Sequence, residues 1–496
     1  MAQSRLHRFR KSIVYSYSLK FGPGKYQPQQ TPIRIDLPGI YRSRKSSSWL
    51  PSAFWLVFLW VFSPNLCLLA GQQKESPFTT PVIQKVELLN GLHLLTAEIP
   101  GSDRVVINFL IKSGYGMDPE KKPGVAFLAS HAILEANQKV ASQRWKDELE
   151  FLEATFSIQS STDFTLFHAE VPPKNVEPLL NTLANIVVHP MFQKEGLEQM
   201  KDKVGELDAL STEEFYSSLI NTGLFGASYC AHRLLGSPET LKTIGLTDIE
   251  AFHATYYLPN NAAIIVAGPT GSLSLASLIR EKFGSWTKGP QPPLPDPPIS
   301  TLVDNGIHVF DKKGAPEITL LFANAAPSRQ SPDYYSLVLL NQLLGASPQN
   351  SLLKQELGRH AIAFQSVDSE FKSGLVCGKL TIRALAPLSS IKPILDAIQQ
   401  VIDGLKANKV AEATLDRVRL ELLGEFQKTM STPKGFAQQM VQIELQNLPR
   451  DLPLSFPRSL ERISVDRLQE AAKNYLNPRG AVIVIGDKEK IEEVVQ

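Results

Sequence analysis

Two stretches far apart in this 496-residue chain repeat one design. Tyr257-Leu258-Pro259-Asn260 runs into the apolar strand Ala262-Ala263-Ile264-Ile265-Val266-Ala267-Gly268. Tyr475-Leu476-Asn477-Pro478 runs in the same way into Gly480-Ala481-Val482-Ile483-Val484-Ile485-Gly486. Tyr257 and Tyr475 stand 218 residues apart, as do Gly268 and Gly486. Each unit is preceded by a helix start of the form Ile-x-x-x-x-[IL], Ile244/Ile249 and Ile463/Leu468. A constant offset through a whole helix–turn–strand unit marks an internal duplication. The fold it predicts is α+β: two homologous α/β-sandwich halves, each a sheet with helices on one face.

The local patterns supply the elements of the first half. Val82–Leu88 and Leu92–Glu98 read as strands around an Asn90-Gly91 turn, and Val105–Ser113 as a third. Gly124–Val140 and Arg144–Ala154 have helical periodicity, Phe164–Val171 is a strand, and Val176–Val188 and Lys194–Leu210 are helices. Leu246–Tyr256 is the helix that leads into the closing strand. The Pro-rich run GPQPPLPDPP, from Gly289 to Pro298, is extended by composition and separates the halves. Beyond it, Asp304-Asn305-Gly306 mirrors the first turn. The expected organisation is a leader over 1–71, a first domain over 80–288, a linker over 289–299 and a second domain over 300–496.

The leader differs from the body in charge. Residues 1–71 hold ten Lys/Arg and one acid, Asp36, so they carry +9 of a total of +2 and leave the body at −7. An acidic body without basic stripes excludes nucleic acid as a partner. Trp49–Gly71 is uncharged, follows Arg42, Arg44 and Lys45, and ends in Ala70-Gly71. This reads as a signal peptide or an N-terminal anchor, and the expectation is an exported protein, periplasmic, extracellular or lumenal in an organelle. Membrane contact is expected only through that segment, if it stays uncleaved. Cys67, Cys230 and Cys377 form no CxxC pair and describe neither a zinc cluster nor a disulfide scaffold.

The stretch GVAFLASHAILE, Gly124–Glu135, carries the chain's chemical candidate. Phe127, Leu128, His131, Ile133 and Leu134 follow the spacing of a buried helical face, with His131 in its middle. On its own such a histidine is a core residue.

The two-half layout resembles the insulinase/pitrilysin metallopeptidase family, in its processing-peptidase branch. The likeness covers about residues 82–490. It is carried by the duplication, Asn90-Gly91-Leu92, Gly124-Val125-Ala126, and Ser237-Pro238-Glu239 with Ile244. Further carriers are Phe252-His253-x-x-Tyr256-Tyr257-Leu258-Pro259-Asn260-Asn261, Pro332-Asp333-Tyr334-Tyr335, Leu343-Leu344-Gly345 and Ala363-Phe364. The resemblance implies an inverted zinc motif, His-x-x-Glu-His, with a distant Glu as third ligand. Laid on this chain, the second His is His131 and the distant Glu is Glu206, 74 residues intervening. The first His falls on Phe127 and the water-activating Glu on Ser130. Phe ligates no metal, two ligands hold zinc poorly, and a serine hydroxyl is too weak a base near neutral pH. A remade set of His131, Glu135 and Glu206 is geometrically conceivable, but it lacks a general base.

The resemblance also implies a Gly-Gly-x-x-Asn-Ala strand that pairs with substrate by β-augmentation. Here that stretch is Glu153-Ala154-Thr155-Phe156-Ser157-Ile158, which places Ser157 and Ile158 at the substrate-facing Asn-Ala positions. A substrate-holding Arg and Tyr in the second half fall near Gly358 (Arg359 is one residue off) and on Phe364. The Gly-rich loop of some non-catalytic subunits is absent from Gly345–Asn350. No phosphate loop competes: Gly268-Pro269-Thr270-Gly271-Ser272 is a strand-to-helix turn with Ser272 or Ser274 as its cap. Lys406–Arg419 reads as one solvated helix face.

The resulting expectation is a non-catalytic, substrate-holding or regulatory subunit of a zinc processing-type peptidase, with no zinc of its own. The resemblance implies half of a clamshell around unfolded peptides. The expected partner is a paralogue with an intact His-x-x-Glu-His motif, or a second copy of the chain. The alternatives are a structural or assembly subunit and a metallopeptidase with a remade zinc site.

Overall fold

The computed structural model describes residues 80–135, 142–206, 212–226, 228–271, 273–293, 306–375 and 377–495, and the backbone of 14–17. The rest of the leader, the linker from residue 294 and the end of the helix expected to Val140 lie outside the described residues. The strands, in chain order, are β1 Val14–Tyr17, β2 Gln84–Glu87, β3 His93–Glu98, β4 Val105–Ile111, β5 Thr155–Ser160, β6 Thr165–Val171 and β7 Ala262–Gly268. The second half supplies β8 Ile307–Asp311, β9 Ile318–Ala326, β10 Ser366–Lys372, β11 Gly378–Ala386 and β12 Ala481–Gly486.

Two six-stranded sheets result, ordered β2-β3-β7-β4-β6-β5 and β1-β8-β12-β9-β11-β10. Five strands of each follow one topology, with a single parallel pair, β3–β7 in one and β8–β12 in the other. The duplicated strands β7 and β12 sit at equivalent places in their sheets. They read as nearly unbroken apolar runs because both faces are covered: all of β7 is buried.

The first half's helices include α1 Val125–Glu135, α2 Ser142–Phe151, α3 Val176–Leu183, α4 Lys194–Glu206 and α5 Thr212–Phe225. Helices on one face of each sheet close a separate core. The first includes Phe109, Leu128, Phe167 and Leu180; the second includes Phe322, Leu340, Ile382 and Ile398. The opposite faces are not open. Leu219, Ile220 and Leu224 of α5 pack on Leu321, Ala323 and Ile483 of the second half's sheet. Phe436, Ala437, Met440 and Val441, from helix Pro433–Leu445, pack on Val106, Leu110, Ala263 and Ile265 of the first. Shifted by the same 218 residues, Thr212–Phe225 falls on 430–443, so the halves exchange equivalent helices. Each exchanged helix contributes several buried apolar side chains, worth roughly 1.5–3 kcal/mol apiece as an upper estimate.

Polar and covalent ties between the halves accompany the exchange. Glu444, at the end of helix Pro433–Leu445, is buried and accepts from Lys85 Nζ at 2.8 Å, His93 Nδ1 at 2.5 Å and Lys112 Nζ at 2.5 Å. Asp163 accepts from the Leu375 N–H at 2.9 Å. Cys230 and Cys377 form a disulfide with Cα atoms 5.8 Å apart. The spacing of the cysteines left the state of this pair open, because it is set by tertiary contact across 147 residues, which local spacing cannot display.

Two smaller expectations also change. The run Lys406–Arg419 is not one helix face, because Ile391–Ala407 ends at Asn408 and a new helix begins at Glu412. Ser274 does precede helix Leu275–Phe283, but its side chain makes no capping hydrogen bond.

Candidate functional site

The candidate site is built on α1, and a buried carboxylate starts that helix. Asp118 accepts from the Gly124 N–H at 2.6 Å and the Ala126 N–H at 2.7 Å, satisfying donors that an α-helix leaves unpaired at its N-terminus. Burial pushes the Asp118 carboxyl up to about 7, against the two backbone hydrogen bonds that favour its charged form. Gly124 has φ +105°, and a Cβ there would lie 3.0 Å from the Leu235 carbonyl oxygen, which explains the glycine at the helix entry.

One turn into α1, the Phe127 ring stacks on the His131 imidazole, with centroids 4.0 Å apart and planes inclined by 28°. The Ser130 hydroxyl donates to the Phe127 carbonyl oxygen at 2.8 Å, and His131 Nδ1 lies 3.0 Å from that oxygen and 3.1 Å from Ser130 Oγ. Ser130 is fully buried. Burial lowers the His131 pKa, outweighing the backbone hydrogen bond and the nearby Glu135 and Glu214, so the imidazole is neutral near pH 7.

α1 packs against α4, the helix that ends on Glu206, and α4's Lys203 pairs with Glu135 at 3.1 Å. The structure therefore brings together the elements that carry His131 and Glu206; the Glu206 side chain lies outside the described residues. Glu135, the extra carboxylate of a remade metal set, is held by a cation instead.

These residues do not fit a catalytic zinc. Phe127, where a first ligand is expected, is an aromatic ring lying against His131, and Ser130, where the base is expected, is a hydroxyl turned toward its own helix backbone. Among the described residues no group of three or more His, Cys, Asp or Glu side chains is placed to hold a metal. A neutral His131 beside Phe127 can donate or accept one hydrogen bond; it cannot activate water as a metal–carboxylate pair does.

α1 also adjoins β5, which is the edge of its sheet and pairs only with β6 among the described residues. The alternation of β5 puts Ser157 in solvent, opposite His168, and leaves Ile158 half-buried against the core, opposite Phe167. The stretch expected to hold substrate is thus an edge strand whose outer side pairs with no other strand among the described residues. At its start, Glu153 has φ +51°, a left-handed conformation in the place where the resemblance calls for glycine. Phe364 is half-buried against the second half's core, just before β10. Arg359 is exposed and paired with Glu356 at 2.8 Å.

The features that sequence reasoning passed over are inter-half ones: the Cys230–Cys377 bridge, the Glu444 charge cluster, and Lys379, a buried amine bonded to α5. None has a local motif.

Comparison with known proteins gives two family matches. Residues 93–226 match the model described as Insulinase (Peptidase family M16), and residues 243–422 the one described as Peptidase M16 inactive domain. The zinc protease PqqE of Helicobacter pylori is 20% identical over 424 residues, covering 83% of this chain and 94% of that protein. A probable mitochondrial-processing peptidase subunit beta of Arabidopsis thaliana is 19% identical, over 82% of this chain and 78% of that one. The crystal structure of a protease from Helicobacter pylori superposes with a TM-score of 0.74 at 18% identity, covering 82% of this chain and all of that one. At such identity the structural likeness speaks for the fold.

Proposed function

Because the chain belongs to the insulinase (M16) peptidase family, we propose that its altered first helix makes it a non-catalytic member, holding peptides for a partner that cuts them. The observation that carries this reading is the replacement of a ligand and the base together: Phe127 stacked on His131, and Ser130 bonded to the Phe127 carbonyl oxygen. Either loss alone cripples metal-assisted hydrolysis; both leave no route by which these residues could generate a zinc-bound hydroxide.

What persists supports binding. β5 remains an edge strand next to α1, and an extended peptide can add to such an edge through main-chain hydrogen bonds that need no particular side chain. Ser157 and Ile158 on β5, and Phe364 from the second half, are the proposed substrate contacts. The partner is a paralogue with an intact His-x-x-Glu-His motif, which supplies the zinc, or a second copy of this chain. The two would enclose unfolded peptides as a clamshell does.

Export fits the same reading. A basic leader with an apolar run is followed by a body whose halves are joined by a disulfide, and such bridges persist in oxidising compartments. The test is affinity capture of the chain from native extract, followed by metal analysis and peptide cleavage by the captured complex. Co-capture of a zinc-bearing relative, with cleavage lost when that relative is removed, is expected. A complex without any such peptidase and without peptide binding would overturn the proposal in favour of an assembly role.

A further inference from the structure

A cavity of about 420 Å³ opens between α5 of the first half and β10 and β11 of the second. Lys379 lines it and is 7% exposed. Its Nζ donates to Ser217 Oγ at 2.7 Å and to Asn221 Oδ1 at 2.7 Å, both neutral acceptors on α5. An ammonium has three donors, so one is left beyond these two bonds. Among the described residues no carboxylate lies within ion-pair distance of Lys379, and burying a cation without a counter-ion is costly.

The carboxylates around the same cavity are already taken. Glu213 pairs with Arg383 at 2.9 Å and Lys372 at 3.5 Å, Asp368 with Arg383 at 3.5 Å, and Glu370 with Lys372 at 2.8 Å. These partners are 40–55% exposed and form a chain of alternating charges, while the buried amine stands apart from it.

The duplicated frame does not require a cation there. Ile265 lies opposite Asn108, which lies opposite His168; the equivalent Ile483 lies opposite Leu321, which lies opposite Arg383. Four residues back from His168 is Phe164, packed into the apolar contact with helix Pro433–Leu445. Four residues back from Arg383 is Lys379. One copy of the fold fills this place with a ring and the other with a buried amine facing a cavity. The Cys230–Cys377 bridge, two residues before Lys379, pins the walls together.

We propose that this inter-half cavity is a binding site for a small molecule carrying a single carboxylate, which supplies the counter-ion that Lys379 lacks. One unmatched positive charge suits one negative charge, and Glu213, Asp368 and Glu370 disfavour a doubly charged phosphate. Burial lowers the Lys379 pKa to about 8, reinforced by Lys372 and opposed by Glu370 and Glu213, as befits an amine without a paired anion. The titratable or charged groups around it are Glu213 and Tyr216 on α5, Asp368, Glu370 and Lys372 on β10, and Arg383 on β11. Binding of a carboxylate raises the Lys379 pKa and is strongest where the amine is protonated.

The experiment titrates the full chain with sodium butyrate, butyramide and inorganic phosphate, using ligand-observed NMR at about pH 7 and about pH 9.5. Butyrate is expected to bind, butyramide to show no saturable binding, and phosphate to bind more weakly than butyrate. Butyrate affinity should fall at least about tenfold at the higher pH. Lys379→Met should abolish butyrate binding while its circular dichroism stays that of the parent. Equal binding of butyramide, tighter binding of phosphate, no saturable butyrate binding, or undiminished binding in the folded Lys379→Met variant would each overturn the proposal. The butyrate–butyramide contrast uses the unmodified protein and holds even if the variant fails to fold.

Discussion

The Phe127 ring lies face to face with the His131 imidazole, 4.0 Å between centroids, where the family's motif would place two zinc-binding histidines side by side. Both positions therefore occupy one face of α1, where they pack as an aromatic pair.

That relationship predicts a partial reversal. Phe127→His with Ser130→Glu should restore zinc binding more readily than peptidase activity, because β5 and the Phe364 region are altered as well. Metal titration of the double variant checks this. A double variant that binds no metal at all would mean that His131 and Glu206 do not share a site.

The Glu444 cluster predicts an acid-sensitive inter-half contact. Burial opposes ionisation, but hydrogen bonds from His93, Lys112 and Lys85 outweigh it and hold the carboxyl at about 2. A depressed folded-state value means that the contribution is fully present above the ordinary carboxyl range near 4.5 and is lost as the pH falls through about 2. The stabilisation at stake is on the order of 3 kcal/mol. Glu444→Gln should destabilise at pH 7 by about 2–4 kcal/mol, since Lys85 and Lys112 would face a neutral amide. Urea melts of parent and variant should converge as the pH is lowered from about 5 toward 2.

The disulfide predicts a redox dependence confined to one bond. Reduction should lower the stability of the parent by about 2–4 kcal/mol. Cys230→Ser with Cys377→Ser should show the lower stability and no response to dithiothreitol, which thermal melts with and without the reductant will read.

Glu153 predicts a gain. Its φ of +51° suits glycine, so Glu153→Gly should stabilise by about 0.5–1 kcal/mol, less whatever the exposed pair with Lys174 contributes. A loss on chemical denaturation would show that the ion pair outweighs the backbone strain.

The sequence displays the frame of this protein well because a duplication is a long-range pattern written twice. Tyr257 and Tyr475 foretell β7 and β12, and Leu246–Tyr256 is a helix to the residue. Phe127 and Ser130 are legible because they interrupt a motif of fixed spacing. Helix exchange is not legible: the apolar face of Thr212–Phe225 is plain, but nothing in it says that its partner sheet belongs to the other half of the chain. Lys379 escapes for the same reason. In the chain it is one lysine in an ordinary strand, and only the registers of two ladders reveal that it stands where the other half has Phe164. The helix break at Asn408 is hidden by good helix formers on both sides; Asn408 itself is extended, with φ −120° and ψ 142°, and closes the first helix.

The most direct test of the central claim is metal content measured alongside peptide cleavage on the purified chain, by elemental mass spectrometry and an unstructured fluorogenic peptide with and without EDTA. Phe127 and Ser130 predict less than one zinc per chain and no chelator-sensitive turnover. Stoichiometric zinc together with EDTA-sensitive cleavage by the isolated chain would contradict it.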